Sequence, residues 1–374
     1  MRIGLNLLPF HPGTGGTWQY VAGLLAALAE HDRANEYVAY VTSHSDALVP
    51  RAPAFRTVPF AFDPRRRPMR VLAENLVLRG RFQRDGLDCM HHLFNTLPRR
   101  FAQPSVVTVY DVMAFERPGD FPLIKRRYLH AGIARAARHA AVLAPMSRST
   151  ADHLRRMFGV DEARIVLVPA SIGDGFRRAN DLDIERFRRR YSLPAAFWLF
   201  VSGAYMHKNH ATLLRAFQAL RATRPDAWPL VVRGEVTPEV QRVIDDAPAG
   251  ISVLPRLADH EMPLLYSAAA ALVFPSLFEG AGLPLLEAMA CGCPVVASDL
   301  ETTAEFAPGA ALMFNPGSEA ELTAAMRRVE ESAGLRETLQ AAGLAAVASF
   351  RPAAAAAACL RAYEVAARTK SARS

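Results

Sequence analysis

Cysteine is scarce in this chain: four in 374 residues, at Cys89, Cys291, Cys293 and Cys359. No two of them form a CxxC pair, so neither a zinc site nor a thioredoxin-type redox site is expected. Structural thiols in a reducing cytosol account for them best. Long apolar runs are also missing, since none approaches the roughly 18 residues that suggest a membrane span. The opening MRIGLNLLPFHPG has one basic residue and an apolar run broken by Asn6 and Pro9. It reads as a first strand rather than a signal peptide. There is no GxGxxG fingerprint with an acidic residue after a second strand, which disfavours a nicotinamide dehydrogenase. No repeat is visible, and the run Ala353–Ala358 is simply good helix former.

What is present is ample for a core: 51% apolar and 21% charged residues. A soft prior of about 150 residues per domain predicts two domains. The charge is unevenly placed. Residues 1–175 hold 23 Lys+Arg against 15 Asp+Glu, a balance of +8, whereas residues 176–374 hold 21 of each. That asymmetry suggests an anionic partner for the first half. Against it stands the overall basic background, in which 41 of 44 positive residues are arginine. Nucleic acid is not expected as the partner, because no interleaved aromatics and no recognised motif accompany the charge.

Strands and helices alternate along the whole chain. The pattern predicts a strand at Arg2–Leu8 and a helix over Thr17–Glu30, with Val21, Leu24, Leu25 and Leu28 inward. It predicts a basic amphipathic helix over Pro68–Arg81, with Val71, Leu72, Leu76 and Leu78 as its apolar positions. A second basic helix spans Leu123–His139, a helix over Ser147–Phe158 starts near a Ser147 cap, and a strand lies at Ile165–Val168. Pro169–Asn180 reads as a linker. A second block follows, with strands at Trp198–Ser202, Leu230–Arg233 and Ile251–Leu254, and helices at Asn209–Arg221, Pro238–Asp245 and over residues 318–349. Two alternating blocks predict two doubly wound parallel sheets.

The densest stretch is ALVFPSLFEGAGLPLLEAMACGCPVVAS, Ala271–Ser298. Ala271–Phe274 reads as a buried strand, Ser276–Leu283 as a loop, and Pro284 as the start of a helix. This presents the N–H groups of Gly282, Leu283 and Leu285 at a helix N-terminus, where phosphate is attracted. Glu279 in the loop and Glu287, expected in the first helical turn, frame it. A carboxylate accepts from two neighbouring hydroxyls at once, so Glu287 suits a ribose diol and Glu279 a sugar hydroxyl. Either Glu alone is as well explained by the helix dipole.

Together, eight residues apart around an EGxGLP turn, the two resemble the signature of the retaining glycosyltransferase family 4. That resemblance implies the GT-B fold, two Rossmann-like domains facing across a cleft. It implies residues 1–172 as an acceptor-binding domain, 173–351 as a nucleotide-sugar-binding domain, and 352–374 crossing back onto the first. It implies a nucleotide-diphospho-sugar donor, with Gly280, Gly282, Leu283, Glu279 and Glu287 around it. The segment Ser202–His210 resembles the family's G…RKN turn, which makes Gly203 and Lys208 donor-binding residues, Lys208 neutralising the leaving diphosphate. His207 stands where Arg is common, and Arg233 is a candidate second cation. The loop Gly13-Thr14-Gly15-Gly16 resembles the family's GG loop, which puts Gly15 and Gly16 on the donor diphosphate or the acceptor. By its residues alone it reads better as a tight strand-to-helix turn. VVTVYD, Val106–Asp111, resembles the family's TVHD segment with Tyr110 in place of His. Tyr110 and Asp111 are therefore candidate catalytic residues beside Glu279, with a turn cap as the other reading of Asp111.

No DxD motif is present, which fits the family's metal-independent chemistry; no cofactor and no metal are expected. The function implied is transfer of a hexose, with mannose as the favoured guess, to a glycan or lipid-linked acceptor in bacterial polysaccharide or lipopolysaccharide assembly. A non-catalytic nucleotide-sugar-binding member of the same fold is the alternative. Arg65–Arg67, Arg99–Arg100 and Lys125–Arg127 all lie in the first half. Most such runs are solvated faces. The sharper expectation is a cytoplasmic protein that touches the membrane peripherally, at about 1 kcal/mol per basic residue near anionic lipid.

Overall fold

Strands buried on both faces read as near-continuous apolar runs, and those of this chain form two wholly parallel sheets. The computed structural model describes residues 1–99, 101–234, 241–242 and 250–371. The chain divides into two units, Met1–Ser171 with Phe350–Ser374, and Ile172–Ser349.

The first unit holds β1 (Arg2–Asn6), β2 (Glu36–Thr42), β3 (Phe55–Phe60), β4 (Cys89–His92), β5 (Ser105–Val109) and β6 (Val142–Pro145), in the order 3-2-1-4-5-6. The second holds β7 (Trp198–Val201), β8 (Leu230–Arg233), β9 (Ile251–Leu254), β10 (Ala271–Phe274), β11 (Val295–Ser298) and β12 (Ala311–Phe314), in the order 12-11-10-7-8-9. Both sheets wind alike: three strands outward from the middle, a return, then three outward the other way. The reversal falls between β1 and β4 in the first sheet and between β7 and β10 in the second. Such a reversal leaves a crevice outside the carboxyl ends of the two central strands.

Helices cover both sheets. Gly16–His31 buries Val21, Leu24, Leu25 and Leu28, as the spacing predicts. Leu123–His139 has the bounds expected, and Ser147 Oγ caps Arg148–Phe158 by accepting from the N–H of Thr150 at 3.1 Å. The last helix, Pro352–Ser371, packs in the first unit against Gly16–His31 and against β4, β5 and β6. There Tyr363 bonds His91 Nδ1 at 2.9 Å, while His91 Nε2 meets Thr108 Oγ1 at 2.7 Å. His91 is thus a packing residue, held neutral by burial that lowers its pKa to about 3.

Three expectations are corrected, and a fourth lies mostly outside the described residues. Ile165–Val168 is no strand: only Ile165 bridges to Leu143. Residues 318–349 form two helices, Glu319–Glu331 and Ala333–Val347, because Ser332 ends the first and caps the second by accepting from Leu335 N–H. The helix Arg67–Arg84 is longer than expected and partly inverted. Leu78 is buried, but Leu72 and Leu76 are 60% and 58% exposed, while Arg70 and Glu74 lie inside. Of the expected helix Pro238–Asp245, only residues 241–242 fall among those described, and both are helical.

Candidate functional site

The reversal point of the second sheet gathers the loops that follow β7 and β10. The β10 loop leads into the helix Leu283–Ala290, whose N-cap Gly282 sits at φ 65°, ψ 50°. Glycine takes that left-handed conformation without strain, and a Cβ there would make only ordinary contact, 3.4 Å from the Phe274 ring. No side chain caps this helix. Leu285 N–H donates to Gly282 O at 2.9 Å, so it is not one of the open donors expected. Among the described residues, nothing accepts from the N–H groups of Gly282 and Leu283.

The β7 loop ends in the short turn Met206–Lys208, closed by Asn209 in the left-handed region at φ 58°. Asn209 Nδ2 donates to Pro275 O at 3.1 Å and to Pro316 O at 3.0 Å, and Leu277 N–H donates to His207 O at 2.7 Å. These bonds staple the two loops together. As a result, residues 71 apart in sequence meet: Lys208 Nζ donates to Glu279 Oε1 at 2.6 Å. The ammonium also lies 5.5 Å from the centre of the Phe274 ring. Gly203 opens the loop, and a Cβ there would come within 2.8 Å of the Tyr205 ring. His210, hydrogen-bonded to Ser202 Oγ at 3.0 Å, is held neutral, its pKa lowered to about 4 by burial and by Lys208.

Glu287 is the fifth residue of its helix and not in the first turn, so the dipole does not explain it. Its Oε2 accepts from Tyr266 OH at 2.8 Å. Burial lifts its pKa to about 7, against the opposing pull of the Tyr266 bond and the Arg233 charge. Arg233, at the end of β8, has a buried Nε with no partner among the described residues. Tyr266 carries no sequence signal for this site. Arg233 carries one, as a charge closing an apolar strand at the carboxyl edge. The arrangement supplies amide donors and one ammonium for an anion, flanked by two carboxylates for hydroxyls.

Comparison with known proteins gives the family. Residues 196–332 match the family model described as "Glycosyl transferases group 1", and residues 14–172 match "Glycosyltransferase Family 4". The chain belongs to glycosyltransferase family 4. It is 28% identical over 297 residues to O-antigen chain mannosyltransferase B of Escherichia coli, covering 76% of this chain and 77% of that protein. It is 26% identical over 341 residues to O-antigen chain mannosyltransferase RfbU of Salmonella typhimurium, covering 87% and 90%. Among solved structures, sucrose-phosphate synthase from Thermosynechococcus elongatus superposes with a TM-score of 0.77 at 20% identity, covering 100% of both chains. WaaG, a glycosyltransferase of lipopolysaccharide biosynthesis, superposes at 0.73 with 16% identity over 95% of this chain and 98% of that one. These two support the fold.

The remaining family 4 candidates lie in the first unit. Tyr110 is buried, and its hydroxyl donates to Leu93 O at 2.5 Å. Its ring packs edge-on against Tyr20 at 5.5 Å, and burial pushes its pKa well up. The phenol packs in the first unit with its hydroxyl committed to Leu93. Asp111 Oδ1 accepts from Met113 N–H at 2.9 Å, the turn-cap geometry. Gly15 caps the helix Gly16–His31 at φ 61°, ψ −133°, a conformation that requires glycine, and no side chain serves that end.

Proposed function

We propose that this chain is a retaining glycosyltransferase that moves a hexose, most simply mannose, from a nucleotide-diphospho-sugar to a glycan or lipid-linked acceptor in bacterial polysaccharide or lipopolysaccharide assembly. The observation that carries the reading is the Lys208–Glu279 pair beside the open amides of Gly282 and Leu283. Lys208 and the amides from Gly280 to Leu283 stabilise the departing diphosphate, where charge develops. Glu279 takes a donor-sugar hydroxyl and Glu287 the ribose diol. Gly203 lets the β7 loop approach the diphosphate, and Gly15 and Gly16 supply backbone donors to an anionic group. Arg233 adds a second positive charge. No protein nucleophile is assigned, and the reading uses no metal and no cofactor. The names of the relatives, two of which are O-antigen mannosyltransferases, favour mannose.

Peripheral membrane contact belongs to the same reading. Leu72, Leu76 and Ile124 are exposed in the basic first unit, and Pro68, Val71, Leu72 and Leu76 line a groove of about 580 Å³ beside Arg99.

Thermal-shift binding of GDP, UDP, dTDP and ADP tests the reading, with Glu287→Ala as control. At 100-fold over its Kd a nucleotide stabilises by about 2.7 kcal/mol. One nucleotide is expected to shift the wild type and not the variant; no shift with any of the four overturns the donor site. A second reading, nucleotide-sugar binding without turnover, is favoured by the Tyr110 hydroxyl being committed to Leu93. Binding of the donor with neither transfer nor donor hydrolysis would select it.

A further inference from the structure

The reversal point of the first sheet carries a second set of polar groups that the donor chemistry does not use. Asn6 and His92 are register partners there, the last residues of β1 and β4. Asn6 Nδ2 lies 3.2 Å from His92 Nδ1 and 3.1 Å from Glu74 Oε1, while Asn6 Oδ1 accepts from Leu8 N–H. An amide nitrogen only donates, so His92 Nδ1 accepts and its proton sits on Nε2. One turn back along the same helix stands Arg70. Its guanidinium carbon lies 6.0 Å from the Phe94 ring centre and 5.7 Å from that of Tyr128.

Arg70 is 8% exposed and Glu74 5%, and among the described residues each leaves one polar atom without a hydrogen bond. Arg70 Nε stands 3.9 Å from Glu74 Oε2, too far for a hydrogen bond, and has no other partner among the described residues. The rest of the fork has one weak contact, Nη2 to Tyr128 OH at 3.5 Å. Glu74 Oε2 accepts no hydrogen bond. A buried guanidinium Nε left without a hydrogen bond is costly unless something answers it. On this helix two leucines face out while an arginine and a glutamate face in. A sequence that breaks its own pattern in this way marks a functional place.

We propose that Arg70 and Glu74 form an acceptor subsite at the first reversal point, which takes the phosphate of a phosphorylated sugar on Arg70 and an adjoining hydroxyl on Glu74. A planar fork matches a phosphate with two parallel bonds, and a carboxylate one turn away matches a neighbouring hydroxyl. The inference rests on the transferase reading for the word acceptor, but the binding itself does not. The phosphate is that of a sugar phosphate or sugar phosphodiester, as the linking group of a lipid-linked glycan would be.

Isothermal titration calorimetry with α-mannose 1-phosphate, methyl α-mannoside and inorganic phosphate tests it. The wild type is expected to bind the sugar phosphate about tenfold or more tightly than either of the others. Arg70→Gln removes that preference, Arg70→Lys keeps the charge but loses most of it, and Arg215→Gln, an exposed arginine of the second unit, leaves it unchanged. Equal binding of the three probes by the wild type overturns the subsite, whatever the variants do. So does loss of the preference in Arg215→Gln, or its survival in a folded Arg70→Gln. Retained sugar-phosphate binding with no nucleotide binding would instead remove the transferase reading and leave the subsite standing.

Discussion

Glu287 is a residue whose charge changes near neutral pH. Its folded-state pKa, raised to about 7 by burial, lies above its unfolded value. The native state therefore holds a proton that the unfolded state has released, and stability falls as pH rises from about 4.5 to about 7. Between pH 5 and pH 8 the loss from this group is on the order of 2 kcal/mol. Urea unfolding at both pH values checks it: Glu287→Gln lacks that loss and gains on the wild type at pH 8. Nucleotide affinity runs the opposite way, because a ribose diol needs the ionised carboxylate as double acceptor. Affinity for the bound nucleotide is expected to rise through pH 7 in the wild type and to stay flat in the glutamine variant.

Lys208 and Glu279 make a different case. On the proposed function a diphosphate competes with Glu279 for the ammonium, and the lysine would act once the donor had loosened the 2.6 Å pair. Lys208→Ala is expected to lower kcat about 100-fold, as removal of one stabilising donor does in a dry site. Glu279→Gln keeps the shape and is expected to weaken kcat through the sugar hydroxyl. Steady-state kinetics on both variants separates the two roles; an unchanged kcat in Lys208→Ala would remove it from the chemistry. Each of these residues was legible from its own turn. Their pairing was not, since 71 residues separate them and only the Asn209 staple brings the turns together. The Tyr266–Glu287 bond was hidden for the same reason.

Among elements, those with a single clear signal were read well. The helix Leu123–His139 and the strands Leu230–Arg233, Ile251–Leu254 and Ala271–Phe274 stand where periodicity put them. The helix Arg67–Arg84 shows where that reading stops. Its apolar residues suggest one face, but its buried stripe runs Arg70, Glu74, Leu78, Phe82, a strict four-residue spacing that charge disguises. Tight approaches were equally invisible. Gly234, just after β8, sits at φ 135°, and a Cβ built there would fall 1.6 Å from Ser202 O, on the backbone of the β7 loop. Gly282 has the milder problem of φ 65° alone with ordinary contacts. Gly282→Ala is expected to cost about 1–2 kcal/mol, the ordinary left-handed penalty, and Gly234→Ala clearly more, with β7 and β8 forced apart. Urea midpoints of the two variants check the order; equal values would mean the Ser202 backbone yields freely.

Across the whole molecule, the alternation of strands and helices predicted two doubly wound sheets, and the shared winding follows from it. The surface of the first unit did not follow, because exposure is set by packing that no local pattern records. Arg70 touches Tyr128, so the helix Arg67–Arg84 lies beside Leu123–His139. Between them they expose Met69, Leu72, Leu76, Leu123 and Ile124, the last at 83%. Arg99, Lys125, Arg126 and Arg127 stand among these in sequence, in the half of the chain that carries the whole net charge of +8. Apolar side chains set among cations fit an anionic bilayer surface, where the charges contribute about 1 kcal/mol each and the leucines add their burial. Flotation with vesicles containing anionic lipid is expected to carry the protein up at low salt and less so at high salt. Vesicles of neutral lipid are expected to leave it behind. Leu72→Ser with Leu76→Ser and Ile124→Ser removes the apolar part and is expected to weaken flotation at least about tenfold. Because these side chains are exposed, the same change leaves the melting temperature nearly unaltered. Flotation unaffected by the three serines, but abolished by salt, would reduce the contact to charge alone; no flotation of the wild type at low salt would remove the membrane from the picture.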